Sequence, residues 1–251
     1  MRFIRKSEIG LETRTQSYTN RNGRTITTVG AMHAATPESW VELIDFLVLA
    51  ESKGSVIHLE GVQPANDSNI SDFERKSIAA MTSLISLGQS LSELTGLQYQ
   101  KEAFLQAPRW EKHDLSIIDV VRGMDDKTLE FISGISVEGI NISPEKAIWG
   151  LRNINRVRWI GFFVPTVRRL LASLIDDRNV FAVKQAIAEN KDVVLFWGAA
   201  HLPGMHKLLR KAGFKPTKSS WRLVIPSSYV SPVESHSLDL DENKVVGASL
   251  E

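Results

Sequence analysis

The stretch DVVLFWGAAHLPGMHKLLRKAGF, residues Asp192 to Phe214, decides the fold that the sequence predicts. It begins with a continuous apolar run, which is typical of a strand buried on both faces of a sheet. After Gly198 and His201 a helical pattern follows and ends at Gly213, and glycine commonly ends helices. The next run, SSWRLVIP, predicts another strand. The stretch therefore belongs to a βαβ-type unit.

A second stretch near the start of the chain repeats this organisation. In TITTVGAMHAATPESWVELIDFL, Thr25 to Leu47, the β-branched residues predict a strand that ends at Gly30. Thr36 and Pro37 are a helix-capping residue and a favoured first helical residue. The run SVIHLEG then predicts a new strand. Two such units predict an α/β protein with a central, mostly parallel sheet.

The segment between the two units is predicted to be helical. Apolar residues recur at helical spacing from Ile78 to Leu94, and Gly96 follows. Further helices are expected at SIIDVVRGM, at DKTLEFISGI, at SPEKAIWGLRNI and between Pro165 and Asn190. This segment reads as an insertion of helices and not as a second sheet.

Length and composition favour a single globular domain. The chain has 251 residues, of which 43% are hydrophobic and 24% are charged, as in ordinary globular proteins. We expect one α/β domain over residues 1–226, with the helical insertion at about 74–190. Residues 227–251 lack a sustained apolar period, so we expect a flexible tail there.

Charge and cysteine content exclude several classes of partner and site. The formal net charge is +1 with acids and bases interleaved, which does not favour nucleic acid or an acidic membrane. The absence of cysteine excludes disulfides, thiolate metal sites and a cysteine nucleophile. We expect a peptide or small-molecule substrate, and the sequence leaves the oligomeric state open.

No segment of the sequence favours secretion or membrane insertion. The basic start MRFIRKSEIGLETRTQ contains no apolar core of a secretory signal. The most apolar stretch, WIGFFVPTVRRLLASLI, contains Arg168 and Arg169 and is shorter than the roughly 20 residues of a spanning helix. We therefore expect a cytoplasmic protein.

Candidate catalytic residues follow the predicted strands. His33 and His201 each come three positions after a glycine, and Glu60 ends the strand in SVIHLEG. Ligands of parallel sheets bind at the carboxyl ends of the strands. Gly30 and Gly198 are expected to let the chain turn there, so that each imidazole projects above the sheet. Glu60 would lie beside the strand of His33 if these two strands are neighbours.

Two imidazoles and a carboxylate permit two kinds of chemistry. They can hold one divalent metal ion, such as manganese, cobalt or zinc, with positions left open for water. They can also act without a metal, as a general base and the group that orients it. The sequence leaves this choice open, although His33, Glu60 and His201 are the expected ligands if a metal binds.

These motifs carry a family resemblance. VGAMHAATPES with VIHLEG and FWGAAHLPGMHKLL resembles the TraB/PrgY-type family, within the wider group of TIKI proteases, GumN-like proteins and erythromycin esterases. The resemblance covers the chain from about Thr25 to Ile225. It implies a catalytic or metal-binding centre at His33, Glu60 and His201, with Arg178 of DDRN as the matching arginine.

The resemblance leaves the chemistry open between two branches of the group. The TIKI branch implies a metal-dependent protease, whereas the erythromycin esterases imply hydrolysis by histidine and glutamate. Arg178 is expected to bind a substrate carboxylate or a carbonyl oxygen. The alternative for Arg178 is an ion pair with Asp176 or Asp177.

The helical insertion adds candidate substrate-binding residues. LQYQKEAFLQAPRWEKHDLS contains a polar and aromatic cluster unlike its apolar surroundings: Gln100, Glu102, Arg109, Trp110, His113 and Asp114. We expect Glu102 and Asp114 to line the pocket, together with Gly30 and Gly198. His58 is expected to share the strand face of Glu60, since side chains alternate along a strand.

Three hypotheses for function follow from these residues. The first is a metal-dependent peptidase or amide or ester hydrolase, in which the metal activates water. The second is a metal-independent hydrolase that uses histidine and glutamate. The third is a protein without catalytic activity that sequesters a peptide or another ligand in the same cleft.

Overall fold

A computed structural model of the chain describes residues 2–64, 67, 69–108, 110–133, 143, 146 and 169–229. Its strands are β1 (Ile4–Lys6), β2 (Gly10–Thr19), β3 (Thr25–Ala31), β4 (Ala34–Ala35), β5 (Val56–Leu59), β6 (Gln98–Tyr99), β7 (Glu111–Lys112), β8 (Val193–Gly198) and β9 (Lys215–Pro226). Its helices are α1 (Pro37–Ser52), α2 (Asp72–Thr95), α3 (Gln100–Ala103), α4 (Ile117–Arg122), α5 (Asp126–Ser133), α6 (Arg178–Ala188) and α7 (Leu202–Lys211). A 3₁₀ turn covers Phe104–Gln106, and a π-helical segment covers Ala172–Asp177.

The main sheet of the described residues contains seven strands in the order β1-β2-β3-β8-β5-β7, with β9 paired to β2. Strands β3, β8, β5 and β7 pair in parallel, whereas β2 pairs antiparallel with β1, β3 and β9. All strands of this sheet except β2 therefore run in the same direction. The predicted α/β fold with a mostly parallel central sheet is confirmed.

The order of the central strands has a direct consequence for the site. Strand β8 lies between β3 and β5 and pairs with both. Strands β3 and β5 are therefore not neighbours, and Glu60 does not lie beside the strand that precedes His33. Instead, the backbone N–H of Glu60 donates to the carbonyl oxygen of Phe196 on β8, at 2.9 Å.

Alternating side chains of β8 fill two hydrophobic cores. Val194 and Phe196 pack on the face covered by α1, together with Trp40, Leu43 and Leu47. On the opposite face, the neighbouring residues of β8 pack against α6 and α7: Val193, Leu195 and Trp197. Because successive residues of a strand point to opposite faces, one buried strand supplies both cores.

Helix α1 begins where the sequence predicts. Thr36 is the N-cap, its side chain accepts a hydrogen bond from the backbone N–H of Ser39, and Pro37 is the first helical residue. Trp40, Leu43 and Leu47 are buried, as their helical spacing predicts. Val48 follows the same helical spacing but is 40% exposed.

The described part of the insertion is mainly helical. Helices α2, α4 and α5 bury a third cluster that includes Met81, Val121 and Ile132. Two short strands were not predicted: β6 pairs with β4, and β7 extends the main sheet beside β5. The helix predicted at SPEKAIWGLRNI, and the segment from Pro165 to Arg168, lie outside the described residues, apart from positions 143 and 146.

The first residues after the expected tail boundary contact the domain. Ser227 donates its N–H to the carbonyl oxygen of Ile9 at 2.9 Å, and the Tyr229 hydroxyl bonds to the carbonyl oxygen of Thr95 at 3.0 Å. The rest of the expected tail, residues 230–251, lies outside the described part. None of the helices that the structure describes is long and apolar enough to cross a bilayer.

Candidate active site

Glu60 is the centre of a buried polar network at the carboxyl ends of β5 and β8. Its Oε1 atom lies 2.7 Å from Nη2 of Arg178 and 3.3 Å from Nε2 of His201. Its Oε2 atom accepts a hydrogen bond from the backbone N–H of Gly198. Both carboxylate oxygens are thus held by donors from elements far apart in the sequence.

Arg178 neutralises two buried carboxylates. Its Nε atom donates to Oδ1 of Asp114 at 3.0 Å, and its Nη2 atom donates to Oδ2 at 2.6 Å, besides the bond to Glu60. Its Nη1 atom donates to the carbonyl oxygen of Leu174 at 3.1 Å. Burial lowers the pKa of Arg178, but Asp114 and Glu60 outweigh this and raise it. The guanidinium is permanently charged and is engaged on every nitrogen.

Arg178 forms its ion pairs with residues far away in the sequence and not with the aspartates next to it. Its ion partners in the described structure are Asp114 and Glu60, where the sequence left open a pair with Asp176 or Asp177. The preceding π-helical segment, Ala172–Asp177, supplies the carbonyl oxygen of Leu174 that receives Nη1. Short π-helical segments are frequent at functional sites. Arg178 positions the carboxylate of Glu60, and its described hydrogen bonds use four of its five N–H groups.

Asp114 lies behind Arg178 and does not face an open pocket. Its side chain is fully buried. Its oxygens accept hydrogen bonds from the backbone N–H groups of Gly61, at 3.0 Å, and Leu115, at 2.8 Å. Asp114 was expected to line the substrate pocket. The structure brings it to the site, but as the second carboxylate of the Arg178 network.

His201 is held by Asn179, which was not predicted to be part of the site. Its Nδ1 atom lies 2.9 Å from Oδ1 of Asn179, and its ring meets Trp197 edge-on, with centroids 5.1 Å apart. Asn179 directly follows Arg178 in DDRN, so that motif was the available signal. A Cβ on Gly204 would lie 2.3 Å from Nδ2 of Asn179. Glycine at that position of α7 therefore makes room for the side chain that holds His201.

His33 approaches the same place from the loop after β3. Its Nδ1 atom lies 3.0 Å from Oε1 of Gln100, and its carbonyl oxygen accepts the backbone N–H of Gln100 at 2.8 Å. In contrast to Glu60 and His201, His33 is exposed to solvent. Gln100 was noted as part of the polar cluster of the insertion but was not assigned to the site.

Gly198 marks the point at which the candidate residues converge. A Cβ built on Gly198 would lie 3.1 Å from Oε2 of Glu60, and 3.6 Å from both Nε2 of His33 and Cδ2 of His201. Glycine therefore keeps open the space between the two histidines and the carboxylate. The structure thus brings together the three residues that the sequence predicted.

The two glycines before the histidines allow close packing, and Gly198 also begins a tight turn. Among the described residues, neither Gly30 nor Gly198 has a positive φ. A Cβ on Gly30 would meet Leu202 at 3.1 Å and the carbonyl oxygen of Arg14 at 3.2 Å. The expected turn is found after Gly198, whose carbonyl oxygen accepts the N–H of His201 at 2.9 Å, whereas Gly30 lies within β3. Gly30 was also expected to contact substrate, but it is packed beneath the start of α7.

The local charges keep Glu60 ionised. Burial by itself would raise the pKa of Glu60, but the hydrogen bond from His201 and the charges of His201, His33 and Arg178 hold it well below its ordinary value. Burial raises the pKa of Tyr99, and the charge of Glu60 raises it further. The site therefore combines a permanent carboxylate with imidazoles at its rim and in its interior.

The other predicted residues lie away from this centre. Glu102 is exposed on α3, and Arg109 lies outside the described residues. His58 does share the strand face of Glu60. It is fully buried there and stacks on His113, with ring centroids 3.5 Å apart.

The expected metal ligands do not form a metal-binding group in this arrangement. In the described part of the chain, no cluster of three or more His, Asp or Glu side chains is placed to hold a metal ion. The physical reason lies at Glu60, since the Arg178 guanidinium, His201 and the Gly198 N–H already occupy its carboxylate oxygens. A cation bound at Oε1 would have to displace the buried Arg178 guanidinium.

Comparisons with known proteins do not assign the chain to a family. No model of a protein family matches the chain, and no curated protein matches its sequence. The resemblance to the TraB/PrgY-type family therefore rests on the motif residues themselves, of which His33, Glu60, His201 and Arg178 lie together in one site.

Proposed function

We propose that this protein is a hydrolase of ester or amide bonds in a peptide or another small molecule, with His33 as general base. The observation that carries the proposal is the convergence over Gly198. The Nε2 atom of His33 and the Oε2 atom of Glu60 both face the small space that the missing Cβ leaves free. A water molecule there would meet an imidazole nitrogen and a carboxylate at once.

In the proposed reaction, Nε2 of His33 removes a proton from water as the water oxygen attacks the carbonyl carbon. The protonated His33 then gives that proton to the leaving oxygen or nitrogen as the ester or amide bond breaks. General acid–base catalysis of this kind contributes about 10²–10⁴-fold to a rate. His33 suits this role because it is exposed, whereas Glu60, Arg178 and His201 are buried.

Glu60 stabilises the imidazolium that forms on His33. It stays ionised because its environment lowers its pKa. Arg178, His201 and the Gly198 N–H fix its position. A charge that is already oriented needs no reorganisation when the reaction occurs, which makes such groups effective in catalysis.

The pairing of Oε1 of Glu60 with Arg178 supports the metal-free form of hydrolysis over the metal-dependent one. A metal ligand needs a free lone pair directed at the ion. Oε1 of Glu60 already accepts from Arg178 and lies 3.3 Å from Nε2 of His201, and Oε2 accepts the Gly198 N–H. The cysteine-free composition fits a reducing compartment, and we place the enzyme in the cytoplasm.

The test is a screen of chromogenic esters, amides and short peptides with the full chain. The wild-type protein should hydrolyse at least one class, and His33→Asn should lose about 10²-fold or more in kcat/KM while staying folded. His206→Asn is the matched histidine control, because His206 bonds to the Tyr18 hydroxyl at 3.1 Å, away from the site. Stoichiometric ligand binding with no turnover would contradict the proposal and favour a sequestering protein. Equal activity of wild type and His33→Asn would remove His33 from the mechanism.

A further inference from the structure

Gln100 is joined to His33 through both its backbone and its side chain. Its N–H donates to the carbonyl oxygen of His33 at 2.8 Å, and its Oε1 atom lies 3.0 Å from Nδ1 of the imidazole. The preceding residue, Tyr99, pairs with Ala34 in the β4–β6 ladder. Two neighbouring residues of the helical insertion therefore contact the loop that carries His33.

The segment that carries Gln100 is held without its side chain. The Nε1 atom of Trp40 donates to the carbonyl oxygen of Gln98 at 2.9 Å, and β6 forms its own ladder with β4. The bond from the Gln100 side chain to His33 is thus additional to the bonds that place this segment. Its effect falls on the imidazole ring, which is exposed.

The chemistry of this bond selects one form of the imidazole. A carbonyl oxygen such as Oε1 of Gln100 accepts hydrogen bonds and cannot donate them. With Oε1 facing the ring, this bond favours the proton on Nδ1 of His33, which leaves the lone pair of the neutral ring on Nε2. Nε2 is the nitrogen that faces the space over Gly198.

We propose that Gln100 is a positioning residue that holds His33 as the Nδ1–H tautomer, with the lone pair of Nε2 directed at the space over Gly198. The catalytic importance of this contact rests on the proposed function, since it requires His33 to be the base. The tautomer itself does not depend on any activity. This pairing of a base with an orienting acceptor follows the general logic of catalytic triads.

The test is nitrogen NMR of the full chain labelled with ¹⁵N-histidine, at about pH 8, where an ordinary histidine is neutral. The His33 signals are assigned as those missing from His33→Asn. Wild type should show a protonated Nδ1 and an unprotonated Nε2. Gln100→Met should shift His33 toward the Nε2–H form, which free histidine favours in water. Gln100→Glu keeps an acceptor and should retain the wild-type form, as should the neighbouring control Lys101→Gln.

Two outcomes would overturn the inference: a wild-type His33 already in the Nε2–H form, or a tautomer that Gln100→Met leaves unchanged. The wild-type spectrum alone tests the first outcome, so the inference can be contradicted even if the variants fold poorly. With a hydrolysed substrate, Gln100→Met should lower kcat by roughly tenfold or more with little change in KM, and Gln100→Glu should restore most of it. The predicted tautomers without hydrolysis of any substrate would contradict the proposed function and leave the positioning role standing.

Discussion

The Nη2 atom of Arg178 lies 2.7 Å from Oε1 of Glu60, although the two residues are 118 positions apart in the sequence. The same atom lies 2.6 Å from Oδ2 of Asp114. One guanidinium therefore joins the end of β5, the segment after β7 and the start of α6. This contact fixes the carboxylate on which the proposed chemistry depends.

Loss of Arg178 should destabilise the protein strongly. In Arg178→Met, the carboxylates of Glu60 and Asp114 would remain buried with no arginine to neutralise them. Removing one partner of a buried ion pair costs about 3–5 kcal/mol, and urea unfolding would measure this. Arg122→Met is a matched control, because Arg122 also bonds two carboxylates, Asp67 and Glu74, but at the surface. Equal losses in the two variants would contradict the central role of the buried network.

A methyl group at position 198 should fill the proposed reaction space. In Gly198→Ala, the new Cβ would lie 3.1 Å from Oε2 of Glu60, which is too tightly held to move freely. Activity should fall by about tenfold or more because small displacements of reacting groups are costly. Gly123→Ala is the control, since its Cβ would meet its neighbours at ordinary distances of 3.4 Å or more. Undiminished hydrolysis by folded Gly198→Ala would place the reaction elsewhere.

Gly204 and Asn179 should be strongly coupled. Alanine normally favours a helix over glycine by up to about 1 kcal/mol. However, a Cβ at position 204 would lie 2.3 Å from Nδ2 of Asn179. Gly204→Ala should therefore destabilise the wild type but be neutral or stabilising in the Asn179→Ala background. A double-mutant cycle of urea unfolding measures this coupling, and additive effects would show that the clash is relieved without disturbing Asn179.

Acidification should destabilise the protein through His58. Burial and the nearby His113 lower the pKa of His58 from 6.5 to about 4, and Glu189 offsets this only in part. The unfolded chain therefore binds a proton at His58 in this window while the folded protein does not. Stability is retained above pH 6.5 and is lost as the pH falls from 6.5 toward about 4.

His58→Leu should remove this component of the pH dependence. Unfolding free energy measured across the same window should fall less steeply in the variant, by up to about one proton per molecule. His206→Leu serves as a comparison at a partly buried histidine, whose pKa burial also lowers, so its effect should have the same sign. Identical slopes for wild type and His58→Leu would mean that His58 is protonated in the folded protein at its ordinary pKa.

The parts of this fold that depend on local sequence were predictable. The capping residue Thr36 and the helix after it follow from neighbouring residues, and β8 follows from its continuous apolar run. The positions of His33, Glu60 and His201 at strand ends were predictable for the same reason. Their convergence was expected because parallel strands share one carboxyl edge.

The parts that depend on distant contacts were not predictable. Nothing in the local sequence places β8 between β3 and β5, because strand order depends on how the whole chain packs. Strand β2 was missed because GLETRTQSYT has no apolar alternation. Its polar residues are nevertheless buried, and Glu12, for example, is paired with Arg5 at 2.7 Å. Gln100 and Asn179 gained their roles only through contacts with histidines far along the chain.

The most direct test of the central claim is the rate of hydrolysis after exhaustive treatment with a chelator. Activity should then be compared with and without added manganese, cobalt or zinc, in wild type and in His33→Asn. We predict that the chelated wild type keeps its full rate, that added metal changes it little, and that His33→Asn stays inactive throughout. Activity that is abolished by the chelator and restored by one of these metals would contradict the account and make His33, Glu60 and His201 metal ligands instead.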